Sequence, residues 1–355
     1  MTIYKRAYFF GIGKINQLYV KFDRFWIRIV AIAPFGPTLY YSFFNCSFRR
    51  ELKANILARI EYDRAISAPS TGCVILRRNI HRLEKGLTMK NRRPVFATDY
   101  IQETVRSFCQ YREIVDDDVL SEEYQWFRDV LAEYFKMAGQ HPNIQVAKEG
   151  FLAAIDGEVV GSVSPFVRDL KTPLRCDYQA LLQLVIRRRS VRWFRQKKVP
   201  RELIEKALLV GLYAPSACNR QPFEFRVFNE PTEATEVARL AMGVAGYEKQ
   251  IPCTIVVVGK LDAYFSERDR HVIYIDASLA VMGFMMALET LGLSSCAINW
   301  PDINSNEKAM QKKLKLDAWE RPVMQIAVGY PDEAMAVPRS VKKTVNEIIK
   351  WKSIK

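Results

Sequence analysis

The chain has 355 residues, enough for two domains of roughly 100–200 residues each. Its 49% hydrophobic and 26% charged residues exclude an intrinsically disordered chain. The net charge of +14 points to an anionic partner: a phosphorylated cofactor, a nucleotide-linked substrate, acidic lipid or nucleic acid, with simple solubility as the alternative that charge alone leaves open.

Residues 1–60 are basic and aromatic. Lys5, Arg6, Lys14, Lys21, Arg24, Arg28, Arg49, Arg50, Lys53 and Arg59 face only Asp23 and Glu51, an excess of eight positive charges. Lys5 and Arg6 precede a short apolar stretch without the long core and cleavage site of a secretory signal, so none is expected. Gly11-Ile12-Gly13 is half of a dinucleotide fingerprint with no third glycine or preceding strand, and reads as a turn. Asn45-Cys46-Ser47 is formally a glycosylation triplet, without meaning in a cytosolic chain. Residues 25–44 are the one membrane candidate, but Arg28 and the Pro34, Gly36 and Pro37 break oppose a spanning helix. The expectation is a buried helix followed by a turn, with peripheral membrane contact through the basic N-terminal region as the alternative.

Residues 51–140 read as helices. Leu52, Ile56, Leu57 and Ile60 recur at helical spacing, and Ile80, Leu83 and Leu87 make the stripe of the next helix. His81, Glu84 and Lys85 share one turn, either as a substrate or regulatory site or as a polar helix face with weak charge pairs. Residues 116–133 begin acidic and become helical through Trp126, Val130, Leu131 and Phe135. From about residue 150 to 175 the periodicity fades into loop formers (Gly157, Gly161, Ser162, Ser164, Pro165, Pro173), which places a domain boundary there. The predicted organisation is a mainly helical domain over 1–170 and a second domain over 176–355.

The second half alternates helix-like and strand-like runs, an α+β pattern. Helices are predicted over 178–186, 200–212 (Pro200 in its first turn), 234–242, 275–293 (ended by Gly292) and 341–351. Strands are predicted over Phe223–Phe228, 253–259, 296–299 and 323–328. The helix over 275–293 is almost wholly apolar and therefore central. Seven scattered cysteines argue for free thiols in a reducing, cytoplasmic setting, and three separated histidines argue against a metal site. No nucleic-acid reader motif accompanies the positive charge, so nucleic acid is not expected as the partner.

The chemistry concentrates between Arg187 and Phe223. Arg188, Arg189 and Ser190 leave a helix together and can converge on a phosphate, because guanidinium forks match phosphate oxygens. Arg339, in VPRSVKKTV, can close such a cradle from far along the chain. A basic surface loop is the alternative for the arginine run. An apolar helix then leads to a polar turn, APSACNRQPF.

RRRSVRWF, APSACNRQPF, YIDASLAVMGFMMALETLGL headed by Asp276, AINW, VGYP and PRSVKKTV occur in this order, and together they resemble the nitroreductase family of flavin enzymes over roughly residues 176–355. The resemblance implies an α+β FMN-binding domain, a central mixed or antiparallel sheet flanked by helices, and a homodimer with FMN at the subunit interface. It assigns Arg188, Arg189 and Ser190 to the FMN phosphate and ribityl oxygens, Arg192 to the flavin N1–O2 edge, and Arg339 to the phosphate. Pro215, Ser216 and Ala217 would pack on the partner's flavin with Asn219 nearby. Asn299 and Trp300 would approach the N5 side. The implied activity is ping-pong hydride transfer from NAD(P)H through flavin N5 to a small-molecule acceptor, with no catalytic side chain required of the protein.

Two departures stand out. The Trp300 position is commonly glycine in simple nitroreductases, and Met282 replaces a residue that is often polar. Trp300 is either a substrate contact or a dimer-core aromatic. HRLEKGL, AINW and CNRQPF further resemble members with a helical N-terminal extension that accompany bacterial surface-polysaccharide synthesis. The competing function is a flavin-binding, non-reductase assembly protein whose helical half is the interaction module.

Overall fold

The computed structural model describes residues 25–67, 74–114, 121–155 and 163–352. The turn expected at Gly11–Gly13, the basic residues before Phe25, the acidic stretch at its start (Asp116) and the loop formers Gly157, Gly161 and Ser162 lie outside them. The chain divides into two compact units, Met1–Ala54 and Asn55–Lys355.

In the first unit, residues 25–32 are helical, and the chain then breaks where Pro34, Gly36 and Pro37 were expected to break it. A short helix, Gly36–Leu39, runs into a π-turn, Tyr40–Phe44. The expected burial is not found. No side chain from 25 to 48 is buried, and consecutive apolar residues cover every side of the helix rather than one stripe.

Helix α1 (Arg49–Ser67) leads into the second unit. Helices α2 (Val74–Leu87), α3 (Ile101–Ile114), α4 (Glu122–Met137) and α5 (Pro142–Ala154) follow, and they close on Leu83, Phe108, Phe127, Tyr134 and Phe151. The Ser121 hydroxyl accepts from Tyr124 N at 3.1 Å and starts α4, and His141 caps α5 in the same way. Ile80 and Leu83 are buried as their spacing implied. The α1 stripe is not: Leu52, Ile56 and Ile60 face outward, while Ala58 and Tyr62 form the buried face. Small side chains at the packing surface let that helix approach closely and leave its larger residues outside. His81 and Glu84 do meet, at 3.2 Å, and the second Glu84 oxygen accepts from the Trp126 indole at 2.8 Å.

Residues 163–177 carry no helix or strand. Asp177 then caps α6 (Tyr178–Arg187), its carboxylate accepting from Ala180 N at 2.8 Å. Helix α7 (Arg201–Leu212) starts one residue later than expected, with Pro200 as the cap rather than inside the first turn. Strands β1 (Phe223–Phe228), β2 (Cys253–Lys260), β3 (Ser294–Asn299) and β4 (Glu320–Gly329) form one antiparallel sheet in the order β1-β2-β4-β3. Alternation along β2 feeds two layers. Ile255 and Val257 face α7 and α9 (Val272–Thr290), where Val281, Phe284 and Leu288 are buried. Val256 and Val258 face α8 (Pro231–Ala238) and α10 (Asn304–Leu314), with Val237 and Met310. The sheet and its helices are thus α+β, as the alternating pattern implied.

Three boundaries differ from expectation. Helix α8 sits earlier than 234–242, because Pro231 opens it and Gly243, at φ +84°, follows its end. Helix α9 also starts and ends earlier, and Gly292 (φ +75°) closes it while Leu293 N donates back to Leu288 O at 2.9 Å. The amphipathic helix expected over 341–351 is reduced to Val345–Ile348. Its apolar residues find no core in this chain, Val341 being 85% and Trp351 88% exposed. A helix of that length does not hold without packing.

Where α7 crosses α9 the backbones nearly touch. A Cβ on Gly211 would stand 2.8 Å from the Ala280 carbonyl oxygen. Gly211→Ala is therefore expected to destabilise the fold by about 1–3 kcal/mol in urea unfolding, while Leu209→Ala, on the exposed side of α7, should change it by less than about 0.5 kcal/mol. Equal stabilities for the two variants would contradict the crossing.

Candidate cofactor site

The arginine segment is held by the sheet edge. With the order β1-β2-β4-β3, β3 has one open side, and residues after α6 fill it. Ser190 forms a parallel bridge with Ser295, and Val191 N donates to Ser295 O at 3.1 Å. The chain then crosses beyond the end of β4, where Arg195 N donates to Tyr330 O and Asp332 N to Trp193 O. Val191 and Phe194 turn into the core, which anchors the segment and leaves Arg188, Arg189, Ser190 and Arg192 half-buried.

Two polar atoms here are buried without hydrogen-bond partners: Arg188 Nε and Ser295 Oγ. A cation's N–H and a hydroxyl left in this state are costly unless something completes them. The nearest counter-charge is Glu289, in the last turn of α9. Its carboxyl is pushed up by burial, and this is opposed by the Ser294 hydroxyl, Arg187 and Arg188. Ser294 Oγ donates to it at 3.0 Å, and Arg187 Nε stands 3.8 Å away. Arg192 Nη1 donates to Ser190 O at 3.3 Å, and its guanidinium lies 5.9 Å from the centre of the Tyr247 ring. Burial pushes the Tyr247 hydroxyl up to about 12 and raises the Cys296 thiol, with Arg192 opposing both. Arg192 also borders a cleft with Trp193, Pro331, Asp332 and Met335.

The polar turn sits at the other end of α7. Cys218, Asn219 and Gln221 all have φ near +50°, a conformation that side chains other than glycine resist. Three bonds hold it. Asp276 Oδ2 accepts from Ala217 N at 2.8 Å, Ser216 Oγ accepts from Gln221 N at 3.0 Å, and Arg77 Nε of α2 donates to Asn219 O at 3.0 Å. Pro215 is exposed at the tip. Behind the turn, the Arg220 guanidinium lies 4.6 Å from the centre of the Tyr264 ring. Burial raises the Asp276 carboxyl, opposed by the Ala217 N–H and Arg220.

Asn299 ends β3 with its side chain exposed. Trp300 is only 8% exposed and packs with Ile298 and Met310, its indole donating to Glu307 Oε1 at 2.8 Å. Glu307 also faces Arg321 Nε at 3.6 Å. The indole is thus a core side chain of this chain. Arg339 is exposed on the segment after β4. The structure therefore gathers Arg188, Arg189, Ser190 and Arg192 along one edge and builds the Pro215–Asn219 turn separately. Sequence reasoning missed Ser295, Asp276 as the anchor of the turn, and Arg77. Ser295 reads as an ordinary strand residue, and only a bridge between segments a hundred residues apart makes it part of the site.

Comparison with known proteins agrees with this half of the chain. Residues 185–250 and 248–330 match the profile of the Nitroreductase family. Iodotyrosine deiodinase 1 of Pongo abelii is 22% identical over 195 residues, which are 47% of this chain and 66% of that protein. Iodotyrosine deiodinase of Haliscomenobacter hydrossis is 25% identical over 189 residues, 45% of this chain and 83% of the relative. Among solved structures, an FMN-dependent nitroreductase from Clostridium difficile aligns at 22% identity and TM-score 0.42, covering 49% of this chain and 99% of that one. The C-terminal half is a nitroreductase-like α+β domain following a helical region.

Because three positive-φ residues lean on Asp276, removing its carboxylate should loosen the turn. Asp276→Ala is expected to cost about 1–3 kcal/mol in urea unfolding and to speed proteolysis at the turn, with Asp276→Asn restoring most of the loss through its side-chain carbonyl. An alanine variant as stable and as protease-resistant as wild type would show that the turn is held elsewhere.

Proposed function

We propose that this chain is an FMN-dependent oxidoreductase that uses NAD(P)H and works as a homodimer with FMN at the subunit interface. The observation that carries the reading is the pair of orphaned donors, Arg188 Nε and Ser295 Oγ, on bridged segments inside the region that matches the family profile. Their chemistry fits a phosphate: a guanidinium N–H and a hydroxyl, both buried and lacking acceptors. Arg188, Arg189 and Ser190 would hold the phosphate and ribityl oxygens, with Arg339 joining from the segment after β4. Bound FMN would supply the redox chemistry, ping-pong hydride transfer between NAD(P)H and a second, small-molecule substrate.

The chain's own residues do the binding and positioning. Arg192 holds a fixed positive charge at the end of the phosphate-binding segment and would sit at the N1–O2 edge, where negative charge develops on reduction. Burial raises both the Tyr247 hydroxyl and the Cys296 thiol beside it, with Arg192 opposing each. Pro215, Ser216 and Ala217, preset by Asp276, would cover the partner subunit's ring with Asn219 nearby, and Asn299 would approach from the N5 side. Trp300 acts at one remove, its buried indole fixing the end of β3 beneath Asn299.

A dimer is supported by exposed apolar surface on the same elements. Helix α6 has no buried residue, and Tyr178, Leu181 and Ile186 on it, with Tyr213 after α7 and Ile275 on α9, all face outward. Exposed apolar side chains on these neighbouring elements are what a partner subunit would cover. The N-terminal residues 1–170 would carry the interaction that directs this chemistry, in surface-polysaccharide synthesis on the narrower resemblance, and Arg77 among them reaches the Asn219 carbonyl.

The purified chain should take up FMN, and its visible absorbance should bleach anaerobically on adding NADH or NADPH. Arg188→Ala should weaken FMN binding by about 1.5–3 kcal/mol, roughly tenfold to a hundredfold, by removing a charge-assisted bond. A chain that takes up no FMN would refute the proposal. Flavin that stays oxidised with both nucleotides would instead favour an assembly partner that binds flavin without using it.

A further inference from the structure

Independently of the flavin reading, we propose that residues 25–48 form a monotopic hairpin that embeds in one leaflet of an anionic membrane. The observations lie within the first unit. A helix over 25–32 turns back through Pro34, Gly36 and Pro37 into Gly36–Leu39 and Tyr40–Phe44. The turn is built in: Gly36 N donates to Ala33 O at 2.9 Å, and any Cβ on Gly36 would clash with the Val30 carbonyl oxygen. Arg49 Nη2 donates to Ser42 O at 2.6 Å and ties the returning arm to the start of α1.

The surface of this hairpin is apolar on all sides rather than along one stripe. Phe25, Trp26, Ile27 and Ile29 cover the first arm, and exposure peaks at the tip and return, at 86% for Ile32, 75% for Phe35 and 79% for Phe44. A helix apolar all round belongs inside a protein or inside lipid. No side chain from 25 to 48 is buried in this chain. Length decides how the hairpin sits. Twenty unbroken helical residues would reach about 30 Å and cross a bilayer, but the break at Pro34 ends the first arm, and the returning arm, residues 36–44, reaches only about 13 Å, the depth of one leaflet. Among the described residues, the one helix long and apolar enough to cross is Glu267–Thr290, half of it packed in the core.

Charge selects lipid over an apolar protein groove as the occupant. Arg49, Arg50 and Lys53 follow the hairpin, Lys5, Arg6, Lys14, Lys21 and Arg24 precede it, and only Asp23 and Glu51 oppose them through residue 54. Basic residues at the base of an apolar insertion match anionic headgroups, and Trp26, Tyr40 and Tyr41 are the residue types that settle at the headgroup boundary. Arg28, one turn inside the first arm, has a stem long enough to carry its charge back to that boundary.

The test is flotation of the full chain with vesicles of phosphatidylcholine alone and of phosphatidylcholine with phosphatidylserine. The wild-type chain should float with the phosphatidylserine vesicles and much less with phosphatidylcholine alone. Ile32→Asp combined with Phe35→Asp should lower the bound fraction at least about tenfold while leaving the circular dichroism spectrum and oligomeric state unchanged, since charge at the tip cannot enter hydrocarbon. Three results would overturn the proposal: no flotation of wild type, equal flotation of wild type and variant, or a self-association that the variant abolishes without any vesicle binding. The last would make a second copy of the chain the occupant.

Discussion

The candidate site depends on an unfinished sheet edge. Strand β3 has β4 on one side and an open row of backbone groups on the other, and Ser190–Val191 complete that row against Ser295. This one pairing fixes where the arginine segment joins the sheet edge. Val191 and Phe194 go into the core, and the residues between them stay near the surface. It also brings Arg188 beside Glu289 and Arg192 over Tyr247, and it leaves two buried donors without acceptors. An open sheet edge is usually a liability that a protein covers. Here the cover is the arginine segment itself.

The polar turn after α7 illustrates a different constraint. Its three positive-φ residues are unfavourable individually, and they persist because Asp276, Ser216 and Arg77 each fix one backbone group. Two of those anchors are distant in sequence. Asp276 stands on the central helix and Arg77 on the helical bundle, so the shape of the turn reports on the packing of both. Arg77 is itself held by an ion pair with Glu123, whose other oxygen accepts from Tyr111 at 2.9 Å. A disturbance within the bundle therefore has a physical route to the turn, through a single guanidinium.

Much of this was legible in the sequence, and the parts that were not share a cause. The strands declared themselves through β-branched alternation, α9 through its length and apolarity, and its end through Gly292. The position of the arginines just after a helix was also plain. What failed were inferences about which side of an element is buried. Leu52, Ile56 and Ile60 have helical spacing, yet the packed face of α1 is made by Ala58 and Tyr62. Residues 25–44 are largely apolar, yet none of their side chains is buried. The stretch 341–351 has an amphipathic pattern, yet it has no surface here on which to fold. Periodicity reports that an apolar face exists, and only tertiary structure says what meets it. Ser295 was invisible for a related reason, since its role arises from a bridge that no local pattern encodes.

The central claim is that the edge segment binds a phosphate, and it is tested most directly by comparing FMN with riboflavin, which lacks that group, in fluorescence titrations of the flavin-free chain. Saturable FMN binding that is at least about tenfold tighter than riboflavin binding, with the difference lost in Arg188→Ala, is the predicted result for a charge-assisted phosphate contact. Equal affinity for the two flavins, or a preference for FMN that survives the substitution, would contradict it.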